Sequence, residues 1–307
     1  MRHGVMLGGR ASHLTVDDYI EQGRSLEALG LDTVWIPHVF GHDAITCAAL
    51  MGRETTRIEL GTAVVPTFPR HPTAIAQQAL TTGAACRGRF TLGIGLSHPP
   101  VIERMIGLSY ARRANHMREY LAVLAPMLRG GSVKYEGEEY RVDMSLDLPG
   151  SGPVPLVVAA LGDRMLEIAG RETTGTILWM VGFRGLEHHI IPKLRSAAAG
   201  RQDPRIVASM HIVLTSNPSA ARQRIAEVIS QYRLMPSYAA MIEREGSSEP
   251  TDFAILGDEK ALDAGLERLE NLGVTDFNAH LLELEEGGRQ RTLEYLASRV
   301  QRNGNPA

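Results

Sequence analysis

Arg57 to Ser97 reads RIELGTAVVPTFPRHPTAIAQQALTTGAACRGRFTLGIGLS. IELGTAVVP is a short apolar run of strand type, stopped by Pro66. Residues 72–85 change to the spacing of an amphipathic helix. FTLGIGLS is a second strand, with glycines at 93 and 95. Strand, helix, strand within so short a span is the repeating unit of a parallel α/β fold.

The same alternation runs along the whole chain. HGVML, TVWIP, PLVVAAL, GTILWMV, IVASMHIVL and TDFNAHLLEL supply further strand-like runs. Helical stretches are expected over 16–29, 42–53, 112–128, 163–171, 185–199, 219–232 and 259–272, with a closing helix over 289–299. Eight such units in 307 residues imply an α/β fold of the (β/α)8 TIM-barrel class, one domain over 1–307. A doubly wound open sheet is the rival, and eight units favour closure. Two stretches interrupt the rhythm. Residues 130–142 read as a small hairpin or an extended excursion before the fifth strand, and 235–257 as a long insertion between the seventh and eighth. Insertions at the C-terminal face of such strands often build lids or substrate walls.

Composition bounds the function. The chain is 44% hydrophobic and 22% charged, as expected of a soluble globular protein. A net charge of −3 and 5% aromatic residues give no case for a nucleic-acid partner. Cys47 and Cys86 are the two cysteines, each within an apolar helical stretch, so free buried thiols and a cytoplasmic setting are expected. The N-terminal MRHGVMLGGR has no signal-peptide pattern, and no segment is apolar enough to span a bilayer.

Active sites of such barrels lie at the C-terminal ends of the strands. His38 stands after the second strand, and Pro66, Thr67, Arg70, His71 and Pro72 follow the third. Gly93, Gly95, Ser97 and His98 close the fourth. Ala159, Ala160, Leu161 and Gly162 close the fifth, and Trp179, Met180 and Gly182 the sixth. No lysine lies on a predicted strand, which argues against Schiff-base chemistry. No carboxylate set is placed to hold magnesium, His188-His189 lacks zinc-ligand spacing, and no metal is expected. GLSHP lacks a nucleophile-elbow glycine, and GIGLSH lacks the third glycine of GxGxxG. What remains is an apolar, glycine-bordered mouth with a few histidines. Such a mouth suits a flat cofactor that carries the reaction itself.

LEALGLDTVWIPH, the Arg57–Ser97 stretch, NHMREYLAVLAPMLRGGSVKYEGEEYRV and PLVVAALGDRMLEIAGRETTG, in that order and spacing, resemble the luciferase-like oxidoreductase superfamily. The likeness is to its deazaflavin branch, which uses coenzyme F-420, and covers nearly the whole chain. It implies a small-molecule substrate, a homodimer, and a ring held at the strand ends. His38 would be the general acid/base or would hold the substrate oxygen. Ala63-Val64 would form a non-proline cis peptide behind the ring. Gly95 and Ser97 would admit backbone close to the cofactor, and Ala159, Ala160, Leu161 and Gly162 would meet its phosphate. The residues themselves support that last role. AALGDRMLEIAG is a strand, a glycine turn and a helix start, with Asp163 as its expected N-cap. Trp179 and Met180 would shape the substrate cavity.

Plainer readings stand beside these. His71 and His98 precede prolines in loops, and turn chemistry accounts for them. His211 and His280 lie within strands seven and eight and are expected to be satisfied interior groups or lower pocket wall. Arg112, Arg113 and Arg118 read as a solvated helix face, or as a draw for the cofactor's acidic tail. The family's sugar-phosphate dehydrogenases carry a lysine after strand six. MVGFRG offers Arg184 instead, so sugar phosphate is not carried over. An FMN-dependent monooxygenase and a cofactor-free binding protein on a decayed barrel are the competing readings.

Overall fold

A computed structural model describes residues 1–9, 12–246 and 253–304. In chain order the strands are β1 (Arg2–Met6), β2 (Thr33–Ile36), β3 (Glu59–Thr62), β4 (Val65–Pro66), β5 (Phe90–Gly95), β6 (Val133–Glu136), β7 (Arg141–Met144), β8 (Leu156–Ala159), β9 (Gly175–Trp179), β10 (Arg205–Leu214), β11 (Ala254–Gly257) and β12 (Asp276–Leu281). The helices are α1 (Val16–Ala28), α2 (Ala44–Glu54), α3 (Pro72–Ala85), α4 (Arg113–Leu128), α5 (Asp163–Glu172), α6 (Phe183–Gly185), α7 (Ile191–Ala197), α8 (Pro218–Ile229), α9 (Pro236–Glu245), α10 (Glu259–Leu272) and α11 (Gly288–Gly304). A π-helical turn, Leu186–Ile190, joins α6 to α7.

β1, β2, β3, β5, β8, β9, β10 and β12 pair in that order, all parallel, and β12 returns to β1. This is the closed (β/α)8 barrel that the alternation implies. Side-chain caps begin several helices: Thr15 and Asp18 form a capping box on α1, Asp43 caps α2 and Asp258 caps α10. The run 58–66, expected as one strand, is broken. β3 ends at Thr62, β4 resumes at Val65 on β5, and the Ala63–Val64 peptide between them is cis. The hairpin before the fifth barrel strand forms as β6 and β7. The insertion yields α9 and a strand not expected from sequence, β11, which pairs with the end of β10 beyond the reach of β9. Residues 247–252 of the insertion lie outside the described residues. Both cysteines are buried free thiols.

Alternation along each strand stacks the interior in layers. At the N-terminal end Arg205 reaches Glu59 Oε1 at 2.5 Å and Asp276 Oδ1 at 2.6 Å, and Arg2 closes on Glu59 Oε2 at 2.6 Å. Above it Trp35, Val157, Ile177 and Val207 pack into an apolar layer, with the Arg205 guanidinium 5.0 Å from the Trp35 ring. Gly61 makes room for that ring, since a Cβ there would lie 2.4 Å from it. Ala63, Val64 and Ala159 pack against this layer from the mouth side.

Candidate active site

The C-terminal strand ends open into a cleft of about 2620 Å³. His38, Ala63, Val64, Gly95, Ser97, Ala159, Ala160, Leu161, Gly162, Asp163 and Trp179 all line it. Met180 does not. It is buried in the core, with a left-handed φ of 54°. Trp179 takes the inward place on β9, and its neighbour turns away from the barrel interior. Arg184, an exposed residue on α6, does not line the cleft either.

His38 leaves β2 and meets the start of α2. Ala44 N–H donates to its Nδ1 at 3.3 Å, and Arg70 Nη2 lies 3.4 Å from Nε2. A neutral imidazole accepts at only one nitrogen and a cationic ring at neither, so both neighbours oppose protonation. Burial, then the Arg70 charge, hold His38 below the ordinary imidazole pKa, and Asp43 opposes them. Asp43 Oδ2 is 2.6 Å from Arg70 and 3.7 Å from His38 Nδ1. Neither partner was singled out from sequence as part of the site.

The floor of the mouth is small and apolar. A Cβ on Gly95 would lie 2.7 Å from Val64 Cγ2 and 3.2 Å from Ala159 Cβ, so glycine lets these three meet. Ser97 has a φ of 60°, and Tyr110 Oη donates to its carbonyl at 3.0 Å. Strands β3, β5 and β8, which carry this platform, are consecutive in the barrel.

Beyond Ala160 the chain turns into α5. The N-cap is Gly162, not Asp163, and no side chain caps the first turn. Asp163 is drawn away to Lys193 at 2.6 Å, and the Lys193 hydrogen bond holds its carboxyl below the usual range. The anion-attracting amides therefore stay open. Buried His189 donates from Nε2 to Leu161 O at 2.8 Å and fixes the loop. Arg164, Arg244, Arg112 and Arg113 also line the cleft, whereas Arg118 does not and bonds Asn115.

The opposite wall was undervalued in the sequence. Of the two roles expected for His211 and His280, satisfied interior groups or lower pocket wall, the second holds. They sit near the C-terminal ends of β10 and β12, line the cleft, and approach at 2.8 Å between their Nδ1 atoms. Trp179 packs edge-on to both, and His98 lies against Tyr238 of α9. Met235, Tyr238, Met241 and Arg244 bring the insertion to the cleft as a wall. His71, by contrast, caps α3 by accepting from Thr73 N–H and lies off the cleft. Among the described residues no group of three or more His, Cys, Asp or Glu is placed to hold a metal ion, and no helix is long and apolar enough to cross a membrane.

Residues 1–294 match the family described as luciferase-like monooxygenase. The chain belongs to this family. Among its luciferase-like relatives, the F-420-dependent glucose-6-phosphate dehydrogenase of Kineococcus radiotolerans is 29% identical over 253 residues, 76% of this chain and 73% of the relative. The 5,10-methylenetetrahydromethanopterin reductase of Archaeoglobus fulgidus is 25% identical over 259 residues, 83% of this chain and 76% of that one. In fold, the coenzyme F-420 dependent tetrahydromethanopterin reductase of Methanopyrus kandleri superposes with a TM-score of 0.82 at 19% identity, covering 99% of each chain.

The Arg70–Asp43 pair, the arginines of α5 and α9, and the His211–His280 pair come together only in three dimensions. Their sequence signal is weak: each is a polar residue in a loop, helix or strand with no motif around it.

Proposed function

We propose that this protein is a coenzyme F-420-dependent oxidoreductase transferring a hydride between the deazaflavin and a small uncharged organic substrate. Named relatives that use this coenzyme support the reading. The structural observation that carries it is a glycine-bordered apolar platform with a neutral histidine beside it and an open helix start beyond it. These residues fit the cofactor. Ala63, Val64, Gly95 and Ala159 would support its ring. The uncapped amides of α5, with Leu161, Gly162 and Arg164, would hold its phosphate.

When bound, the deazaflavin supplies a ring carbon that gives or takes a hydride. Everything else falls to the chain. The ring nitrogen of neutral His38 that carries the hydrogen serves a substrate oxygen as donor or proton source, while the other accepts from Ala44 N–H or from Arg70. The apolar floor and the α9 wall exclude water and position the substrate. Arg184 does not line the cleft, which argues against a sugar phosphate as substrate. The chain would act as a single luciferase-like domain, as a homodimer, in the cytoplasm.

An FMN-dependent monooxygenase is the second reading, and the family's own description favours it. Titration of the purified protein with F-420 and with FMN decides between them. Tight binding of the deazaflavin, with FMN weaker by ten-fold or more, is expected. The reverse order would establish the monooxygenase reading, and binding of neither would leave a barrel without cofactor chemistry.

A further inference from the structure

Two buried polar atoms in the cleft wall have no partner: Trp179 Nε1 and His211 Nε2. His211 itself is 2% exposed. An indole N–H can only donate, and leaving it unpaired in a buried place costs free energy. Native structures leave few such atoms, so two together at a cleft surface point to a ligand that completes them.

The neighbouring His280 fixes what that ligand can be. The 2.8 Å separation of the two Nδ1 atoms requires one proton between them, one ring donating and the other accepting. Whichever ring donates, one outer Nε2 is then an N–H and the other a lone pair. Burial disfavours a charge on either ring, and His280 is held at about 4. The three side chains therefore offer neutral donors and a neutral acceptor, and the Arg289 guanidinium, which also lines the cleft and helps lower the His280 pKa, is engaged by Gln22 Oε1 at 3.2 Å. Its place is informative as well. β9, which carries Trp179, is four strands from β2 and His38 in the eight-stranded barrel, and β10 is four strands from β3 and its platform. The cluster thus faces the β3 and β5 part of the platform across the mouth and adjoins its β8 end.

We infer that Trp179, His211 and His280 form a substrate subsite that takes an uncharged hydroxyl or carbonyl oxygen, on the side of the cleft facing the platform. Trp179 N–H donates to that oxygen. A hydroxyl also donates to the pair's free lone pair, and a carbonyl accepts its N–H. This deepens the proposed function, on which it rests, by giving the substrate class a neutral oxygen function.

The test reads the subsite directly. Trp35 and Trp179 are the two tryptophans, so the protein gives two indole N–H signals, assigned with Trp179→Phe. Cyclohexanol, cyclohexanone and cyclohexanecarboxylate are titrated with and without bound F-420, following these signals by NMR. The alcohol and the ketone are expected to shift the Trp179 signal saturably while Trp35, buried below, stays put. The carboxylate is expected to bind at least ten-fold more weakly. His211→Phe and His280→Gln, with the Trp35 signal as the check of folding, should each weaken the neutral ligands about ten-fold. No saturable shift in either state, or a carboxylate that binds as well as the ketone, overturns the subsite. Failure of F-420 to bind while the Trp179 shift persists would overturn the cofactor reading and leave the subsite standing.

Discussion

Arg70 and Asp43 meet at 2.6 Å, joining the loop after β4 to the N-cap of α2 directly beside His38. The pair sets the charge seen by the imidazole. Arg70 pushes the His38 pKa down and Asp43 pulls it up. Replacing Arg70 by leucine removes the depressing charge and leaves Asp43 unpaired, so the His38 pKa should rise. An NMR titration of the ring and the acid limb of the kcat/KM profile should move together to higher pH. His38→Ala should lower kcat by about 10²-fold or more, the ordinary worth of a positioned acid or base. An unmoved acid limb in Arg70→Leu would show that His38 does not carry the proton that activity reports.

Lys193 keeps the Asp163 carboxylate away from the open start of α5. Lys193→Ala frees that negative charge next to amides expected to hold phosphate. Cofactor affinity should fall several-fold. Asp163→Asn should raise affinity, or at least restore it in the Lys193→Ala background. A titration of the variants with F-420 checks both signs. Equal affinities in all of them would place the phosphate elsewhere.

Much of this was legible in the chain. Alternating strand and helix patterns specify the barrel, because each unit must bury one face against its neighbours. His38 stood out because few proton-bearing groups end a strand. Pairings across the barrel were not legible. His211 and His280 are 69 residues apart and meet only because β10 and β12 are neighbours in a register that sets them opposite. Met180 was misread for a local reason: sequence adjacency to Trp179 says nothing about which way a strand-end residue turns. The Asp163 cap was misplaced by one residue, since its attraction to Lys193 depends on how α7 packs on α5.

Gly95 is tested by one methyl group. A Cβ at 2.7 Å from Val64 Cγ2 cannot be accepted without displacing the valine, which is stiff about χ1. Gly95→Ala should therefore deform the platform and weaken F-420 binding by about ten-fold, with a loss of stability of about 1–3 kcal/mol because the residue is buried. Unchanged affinity would remove the platform from the proposed cofactor site.

Three buried histidines make stability fall in mild acid. Burial is the largest cause in each case and holds His3 and His280 at about 4, with His211 also lowered. The unfolded rings have pKa values near 6.5. Below that the unfolded chain binds protons that the folded chain refuses, so the unfolded state gains and stability rises with pH. For His3 and His280 the loss sets in as pH falls through about 6.5 and is complete near 4, reaching on the order of 3 kcal/mol for each of these two rings, and His211 acts in the same direction. Urea unfolding at pH 7 and pH 5 should show a clear drop. His280→Gln should flatten the slope, and a slope unchanged in that variant would mean the ring titrates freely in the fold.

Asp276 gives the sharpest separation of stability from function. It is fully buried at the N-terminal end of the barrel, within reach of both Arg2 and Arg205. Removing Asp276 leaves the mostly buried Arg205 to share the Glu59 carboxylate with Arg2, and breaking a buried ion pair typically costs about 3–5 kcal/mol. Asp276→Ala should lose that much by denaturant unfolding. A combined Arg205→Met and Asp276→Leu change should lose much less, because no unpaired charge is left between those two positions. F-420 affinity should be unaffected in both, since the Trp35, Val157, Ile177 and Val207 layer stands between this network and the cleft. If the single variant were as stable as the parent, the network would be electrostatic decoration. If it bound cofactor differently, the apolar layer would be transmitting strain from the base of the barrel to its mouth.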